Sequence, residues 1–96
     1  MSNTNFLETL EAVIERRVNE APEGSYTARL AAQGTIKVAQ KVGEEGVELA
    51  LAAAAQDKGR VVAEAADLLY HLLLLLRMRE LKLADVLAEL QDRHRG

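Results

Sequence analysis

Two runs decide the fold: TIKVAQKVGEEGVELALAAAAQ at residues 35–56 and RVVAEAADLLYHLLLLLRMRE at residues 60–80, separated by DKG at 57–59. Both lack Pro and are dominated by Ala, Leu, Glu and other good helix formers, so each reads as one long helix. Thr35 is placed to cap the first, which runs to about Gln56; Asp57, Lys58 and Gly59 form the break; the second runs from about Arg60 to Glu80. Downstream, Leu83 to Arg93 carries Val86, Leu87 and Leu90 on one face of a final helix. Upstream, Ser25 to Gln33 forms a brief helix stopped by Gly34, and Pro22 with Gly24 marks a short linker. A first helix extends from about Thr4 to Asn19, with Phe6, Leu7, Leu10, Val13, Ile14 and Val18 at helical spacing. No strand pattern survives, and the expected fold is all-α, a helical bundle of four to five helices.

The 96 residues, 49% hydrophobic and 28% charged, suit a single domain spanning 1–96. A chain of this size buries only about 60% of its unfolded surface, so small domains often recruit a metal, disulfides or a second chain. Cysteine is absent, which removes disulfides, thiolate zinc sites and cysteine nucleophiles. Ala50 and Ala52 to Ala55 make one long helix slim, while Leu72 to Leu76 make the other apolar nearly all round. Such a helix needs cover on more than one side, which predicts a bundle completed by homodimerisation.

A net charge of −3 argues against nucleic acid as a partner, and one Phe, two Tyr and no Trp leave few rings on which bases could stack. Met1 to Asn5 is polar, without a basic or apolar leader, and Leu68 to Leu76 is too short to cross a bilayer. The expected location is cytoplasmic, with no membrane partner.

Chemistry concentrates on the two long helices. At about 100° per residue, Glu44, Glu45 and Glu48 share one stripe, which Lys37 and Lys41 extend toward the N-terminus. On the following helix Glu64 and Asp67 stand three apart, with Arg60 and His71 four residues to either side. The short connection makes the helices antiparallel, so Glu45, Glu48, Glu64 and Asp67 can converge from two directions. So many like charges are costly unless a cation neutralises them. All-oxygen donors select Mg²⁺, Mn²⁺ or Ca²⁺, and Mg²⁺ is commonly shared with substrate phosphates, for which Lys37, Lys41 and Arg60 are candidate partners. Solvated faces held by i, i+4 ion pairs such as Lys41 with Glu45 are the alternative reading. Gly43 and Gly46 flank the acids and each costs about 1 kcal/mol relative to Ala inside a helix, which predicts a close approach to the backbone there.

The pattern Glu44-Glu45-x-x-Glu48 followed by Glu64-x-x-Asp67 resembles the signature of the all-α nucleoside triphosphate pyrophosphohydrolases, the MazG-like superfamily. The surrounding residues, Ser25-Tyr26-Thr27, Lys41-Val42-Gly43-Glu44-Glu45 and Glu64-Ala65-Ala66-Asp67-Leu68-Leu69-Tyr70-His71-Leu72, are similar to its phosphoribosyl-ATP pyrophosphatase branch. Gly46 departs from that family, where Ala is more usual. The resemblance implies a homodimer and Mg²⁺-dependent hydrolysis of phosphoribosyl-ATP to phosphoribosyl-AMP and pyrophosphate, the second step of histidine biosynthesis, with a stand-alone enzyme for that step expected. Carried onto this chain, it implies Glu45, Glu48, Glu64 and Asp67 as metal ligands, with Mn²⁺ a substitute for Mg²⁺, and Glu44 as the residue that orients or deprotonates water. Lys37, Lys41, Arg60, Ser25, Tyr26, Thr27, Tyr70 and His71 become candidate substrate contacts.

Two other functions compete: a housecleaning pyrophosphohydrolase of the same superfamily acting on other nucleotides, and a noncatalytic helical interaction module. A di-iron carboxylate bundle is disfavoured because no Glu stands three residues before His71.

Overall fold

The computed structural model describes residues 5–95. It contains α1 (Asn5–Glu20), α2 (Tyr26–Ala32), α3 (Thr35–Ala54), α4 (Lys58–Met78) and α5 (Leu83–Arg93), with no strand among the described residues. All five expected helices are present; Thr4, the expected start of the first, lies outside the described residues.

The ends of the helices show why two boundaries differ from expectation. Ser25 caps α2 by accepting a hydrogen bond from the Ala28 amide at 3.1 Å. Gly34, at φ 97°, is the residue that precedes α3, so Thr35 is its first helical residue rather than its cap. That φ lies where glycine carries no steric penalty. α3 ends at Ala54 through paired bonds, Gln56 N–H to Ala53 O at 3.0 Å and Asp57 N–H to Ala52 O at 3.3 Å. This is a Schellman closure, in which Gln56 takes the left-handed position at φ 59°. α4 closes the same way, with Glu80 at φ 60° and the Leu81 amide bonded to Leu76 O at 2.8 Å. Asp57 caps α4 by accepting from the Arg60 amide at 3.1 Å, which draws Lys58 and Gly59 into its first turn. The break is therefore Ala55 to Asp57, two residues earlier than Gly59 suggests.

α3 and α4 form a hairpin with the most extensive packing in the molecule, and α1 and α2 cover the end farthest from its turn. The core there is Ile14, Leu30, Val38, Leu73 and Leu74, with Leu7, Leu10, Val18, Met78 and Leu83 packed against it. Arg77 reaches from α4 to α1, donating to the Asn19 side chain at 2.6 Å, and the Leu83 amide donates to Glu11 at 2.6 Å.

The leucine run is largely consumed by this core: Leu73 and Leu74 are buried, and Leu72, Leu75 and Leu76 are partly covered. Surplus apolar surface lies instead on the hairpin, where Ile36 is 86% and Val62 70% exposed and Val47, Leu51 and Leu69 are also open. A second bare face is that of α5, on which Leu87 and Leu90 are exposed.

Candidate active site

Each long helix contributes carboxylates to one point. Glu45 on α3 and Glu64 and Asp67 on α4 each place an oxygen within 4.8 Å of the others. The helical repeat puts Glu64 and Asp67 on one stripe, and the Schellman closure sets that stripe opposite Glu45. Glu48, expected as a fourth ligand, stands one turn along α3 and outside this group, on the solvent side. It is still close enough to act on Glu64, whose carboxyl is pushed up by desolvation and then by the charges of Asp67, Glu45 and Glu48, against an opposing pull from Arg60.

The cations sit at the edge of the acids. Lys41 Nζ lies 3.5 Å from Glu45 and 3.8 Å from Glu44. Partial desolvation works against its charge, but Tyr26, Glu45 and Glu44 together raise its pKa. Glu44 lies outside the three-acid group; its carboxylate turns back along α3 to accept from Gln40 Nε2 at 2.9 Å. That bond, helped by Lys41 and Lys37, holds Glu44 below the usual carboxylate range despite some desolvation.

Beside Lys41 stands an aromatic trio. Tyr26 and Tyr70 each meet the His71 ring edge-on, with centroids 5.8 and 5.1 Å away, and the two tyrosines lie 6.3 Å apart. The Tyr26 hydroxyl is 2.9 Å from His71 Nε2, His71 Nδ1 is 2.8 Å from the Asp67 carbonyl oxygen, and the Thr27 and Tyr70 hydroxyls are hydrogen-bonded to each other. Thr27 and His71, both expected to touch substrate, are buried, Thr27 against the Tyr70 hydroxyl and His71 between the Tyr26 hydroxyl and the Asp67 carbonyl. Ser25 spends its oxygen on the α2 cap. Gly43 and Gly46 were expected to admit a close neighbour, but within this chain nothing comes within 4 Å of a Cβ placed at either.

A profile of the family described as Phosphoribosyl-ATP pyrophosphohydrolase matches residues 7–94. The chain belongs to the phosphoribosyl-ATP pyrophosphohydrolase family. It is 61% identical over 89 residues to the phosphoribosyl-ATP pyrophosphatase of Pyrobaculum neutrophilum, covering 93% of this chain and 95% of that protein. It is 55% identical over 87 residues to the histidine biosynthesis bifunctional protein HisIE of Haemophilus influenzae, covering 91% of this chain and 39% of the relative. The HisIE of Vibrio cholerae is 52% identical over 90 residues, 94% of this chain and 43% of the relative. The chain thus spans less than half the length of the bifunctional relatives it matches.

For a phosphoribosyl-ATP pyrophosphohydrolase family member, the acids and Lys41 form the natural focus. A separate cavity of about 650 Å³, lined by Glu8, Glu11, Glu15, Arg77, Glu80 and Lys82 among others, lies at the other end of α4 and holds none of the residues singled out from the sequence. What the sequence did not show is Gln40, whose amide fixes Glu44. Its position four residues before Glu44, on the same stripe, was the available signal.

Proposed function

We propose that this chain hydrolyses the α,β-phosphoanhydride of phosphoribosyl-ATP, releasing phosphoribosyl-AMP and pyrophosphate, the second step of histidine biosynthesis. Family membership and the identity to a protein named phosphoribosyl-ATP pyrophosphatase support this reading. The observation that carries it is the convergence of Glu45, Glu64 and Asp67 with Lys41 at their edge.

The donor set fits a hard divalent cation, Mg²⁺ or Mn²⁺, because three carboxylate oxygens within 4.8 Å offer oxygen alone. Desolvation and then the charges of Asp67, Glu45 and Glu48 raise the Glu64 pKa, a cost that a bound cation would offset. Glu45, Glu64 and Asp67 would hold the ion, with Glu48 available one turn away for a second contact. When bound, it supplies positive charge and Lewis acidity at the phosphates. Lys41, Lys37 and Arg60 add fixed positive charge for phosphate oxygens, where charge develops as pyrophosphate departs. Glu44, held ionised by Gln40, suits orienting the attacking water by accepting its hydrogen. The catalytic unit is a cytoplasmic homodimer, a reading supported by the bare apolar stripes of the hairpin and by the identity to a phosphoribosyl-ATP pyrophosphatase and to histidine biosynthesis proteins.

The test is pyrophosphate release from phosphoribosyl-ATP, with ATP and deoxynucleotides in parallel, each with Mg²⁺ and with chelator. Release from phosphoribosyl-ATP alone, abolished by chelator and by Glu64→Gln, is expected. Release from the deoxynucleotides instead would move the activity to nucleotide housecleaning, and no release from any substrate would refute catalysis.

A further inference from the structure

His71 is buried on α4 within the site, yet both ring nitrogens are already engaged. A backbone carbonyl can only accept, so the 2.8 Å contact to Asp67 O requires a hydrogen on Nδ1. In the neutral ring Nε2 is then bare and accepts, and the Tyr26 hydroxyl must be its donor at 2.9 Å. Tyr26 has one hydrogen, and it is spent on His71. Its oxygen is therefore left as an acceptor, on a residue that is 43% exposed.

This polarity decides what Tyr26 can bind. Phosphate oxygens of an ionised nucleotide are acceptors and gain nothing from it, whereas a sugar hydroxyl can donate to it. Lys41, close enough to Tyr26 for the two groups to interact electrostatically, supplies positive charge from the adjacent helix, the group suited to phosphate oxygens. We propose that His71 is a positioning residue that fixes Tyr26 as a hydrogen-bond acceptor for a ribose hydroxyl of the bound nucleotide. Tyr70 and Thr27 support the arrangement from behind, their hydroxyls paired with each other and the Tyr70 ring set against His71. The assignment deepens the proposed nucleotide hydrolysis and rests on it for the identity of the ligand.

Two measurements test it. Nitrogen-15 NMR of the wild-type protein in mildly alkaline buffer is expected to show His71 as the Nδ1–H tautomer; an Nε2–H tautomer would overturn the proposal. This readout uses the protein alone, so it judges His71 whether or not phosphoribosyl-ATP is hydrolysed. In steady-state kinetics Tyr26→Phe is expected to raise KM about tenfold, the loss of one hydrogen bond to a ligand, with the smaller effect on kcat. His71→Asn, which keeps a donor for the Asp67 carbonyl but offers nothing to Tyr26, should match it and add no further rise in the Tyr26→Phe background. His71→Gln, whose amide oxygen can stand near the Nε2 position, should recover most of the loss. Among substrate analogues lacking single ribose hydroxyls, one should lose affinity for the wild type and not for Tyr26→Phe. An unchanged KM in Tyr26→Phe, additive effects in the double variant, or equal losses for every analogue in both proteins would each refute the assignment. Tyr26 is partly exposed, so its variant tests the idea even if substitution of His71 prevents folding.

Discussion

At the scale of single residues, Glu64 is the most informative group. Its folded-state pKa lies above the ordinary value because desolvation and then Asp67, Glu45 and Glu48 disfavour its charge. A carboxyl raised on folding binds its proton more tightly in the native state, so its stabilising contribution is present below the unfolded pKa and is lost as pH rises through the folded one. Glu44 runs the other way: its folded pKa is depressed, and its contribution fades as pH falls. Relative to Glu64→Gln, the metal-free wild type should therefore gain stability as pH falls through the raised Glu64 pKa, while Glu44→Gln should remove the opposing trend. Thermal melts across pH on the three proteins check this. Mg²⁺ at neutral pH should do what protons do at low pH. At about a hundredfold over its dissociation constant a ligand adds about 2.7 kcal/mol, and Glu64→Gln should lose most of that shift.

The acidic cluster was legible because helical periodicity places i, i+3 carboxylates on one face whatever the tertiary structure. That argument brought Glu45, Glu64 and Asp67 together, and their oxygens do lie within 4.8 Å of one another. It could not separate Glu48 from them, since one turn along a helix is neighbourly by spacing and only the lateral fit of α3 on α4 decides which oxygens meet. The Ser25 cap was legible because it is local, and a hydrogen-bonded His71 was an open alternative, but the partners of Thr27 and His71 were not, since Thr27 meets Tyr70 and Tyr26 meets His71 across 43 and 45 residues.

At the scale of elements, helix interiors and the bounds of α5 followed from composition and spacing, whereas the turn between α3 and α4 did not. Gly59 suggested the inter-helix break, but the chain turns at Gln56, a residue without glycine's freedom at positive φ. A left-handed conformation costs a non-glycine residue roughly 1–2 kcal/mol. Gln56→Gly should thus stabilise the hairpin by about 1 kcal/mol in denaturant titrations, with Asp57→Ala costing a similar amount through loss of the α4 cap. Gly43 and Gly46 offer a sharper contrast. Within one chain both can accept a methyl, and Ala at either should add about 1 kcal/mol of helix stability. If Gly43→Ala or Gly46→Ala instead weakens the assembled protein, a second chain approaches the helix at that point.

For the whole molecule, the dominant fact is apolar surface left over after the core is built. Ile36, Gly43, Val47 and Leu51 follow one stripe of α3, and Val62 and Leu69 one stripe of α4, so each helix of the hairpin carries a stripe of uncovered apolar surface. Contiguous patches of this kind mark interfaces on small soluble proteins. Sedimentation should give twice the chain mass, and Leu51→Glu combined with Val62→Glu should give single chains with a lower melting temperature. A wild type that sediments as single chains at micromolar concentration would end the dimer proposal.

The three-residue connection between α3 and α4 also bears on how the chain folds. Closing a short loop costs little entropy, and pairings between helices adjacent in sequence form fast. Docking α1 onto α4 is a slower kind of event, joining Asn19 to Arg77 across 58 residues. A hairpin that pairs before α1 docks would gather the mutually repelling carboxylates early, so their repulsion is expected to slow folding as well as to cost native-state stability. Pulsed hydrogen exchange should protect the amides of α3 and α4 ahead of those of α1, and a divalent cation should speed refolding rather than act on unfolding alone.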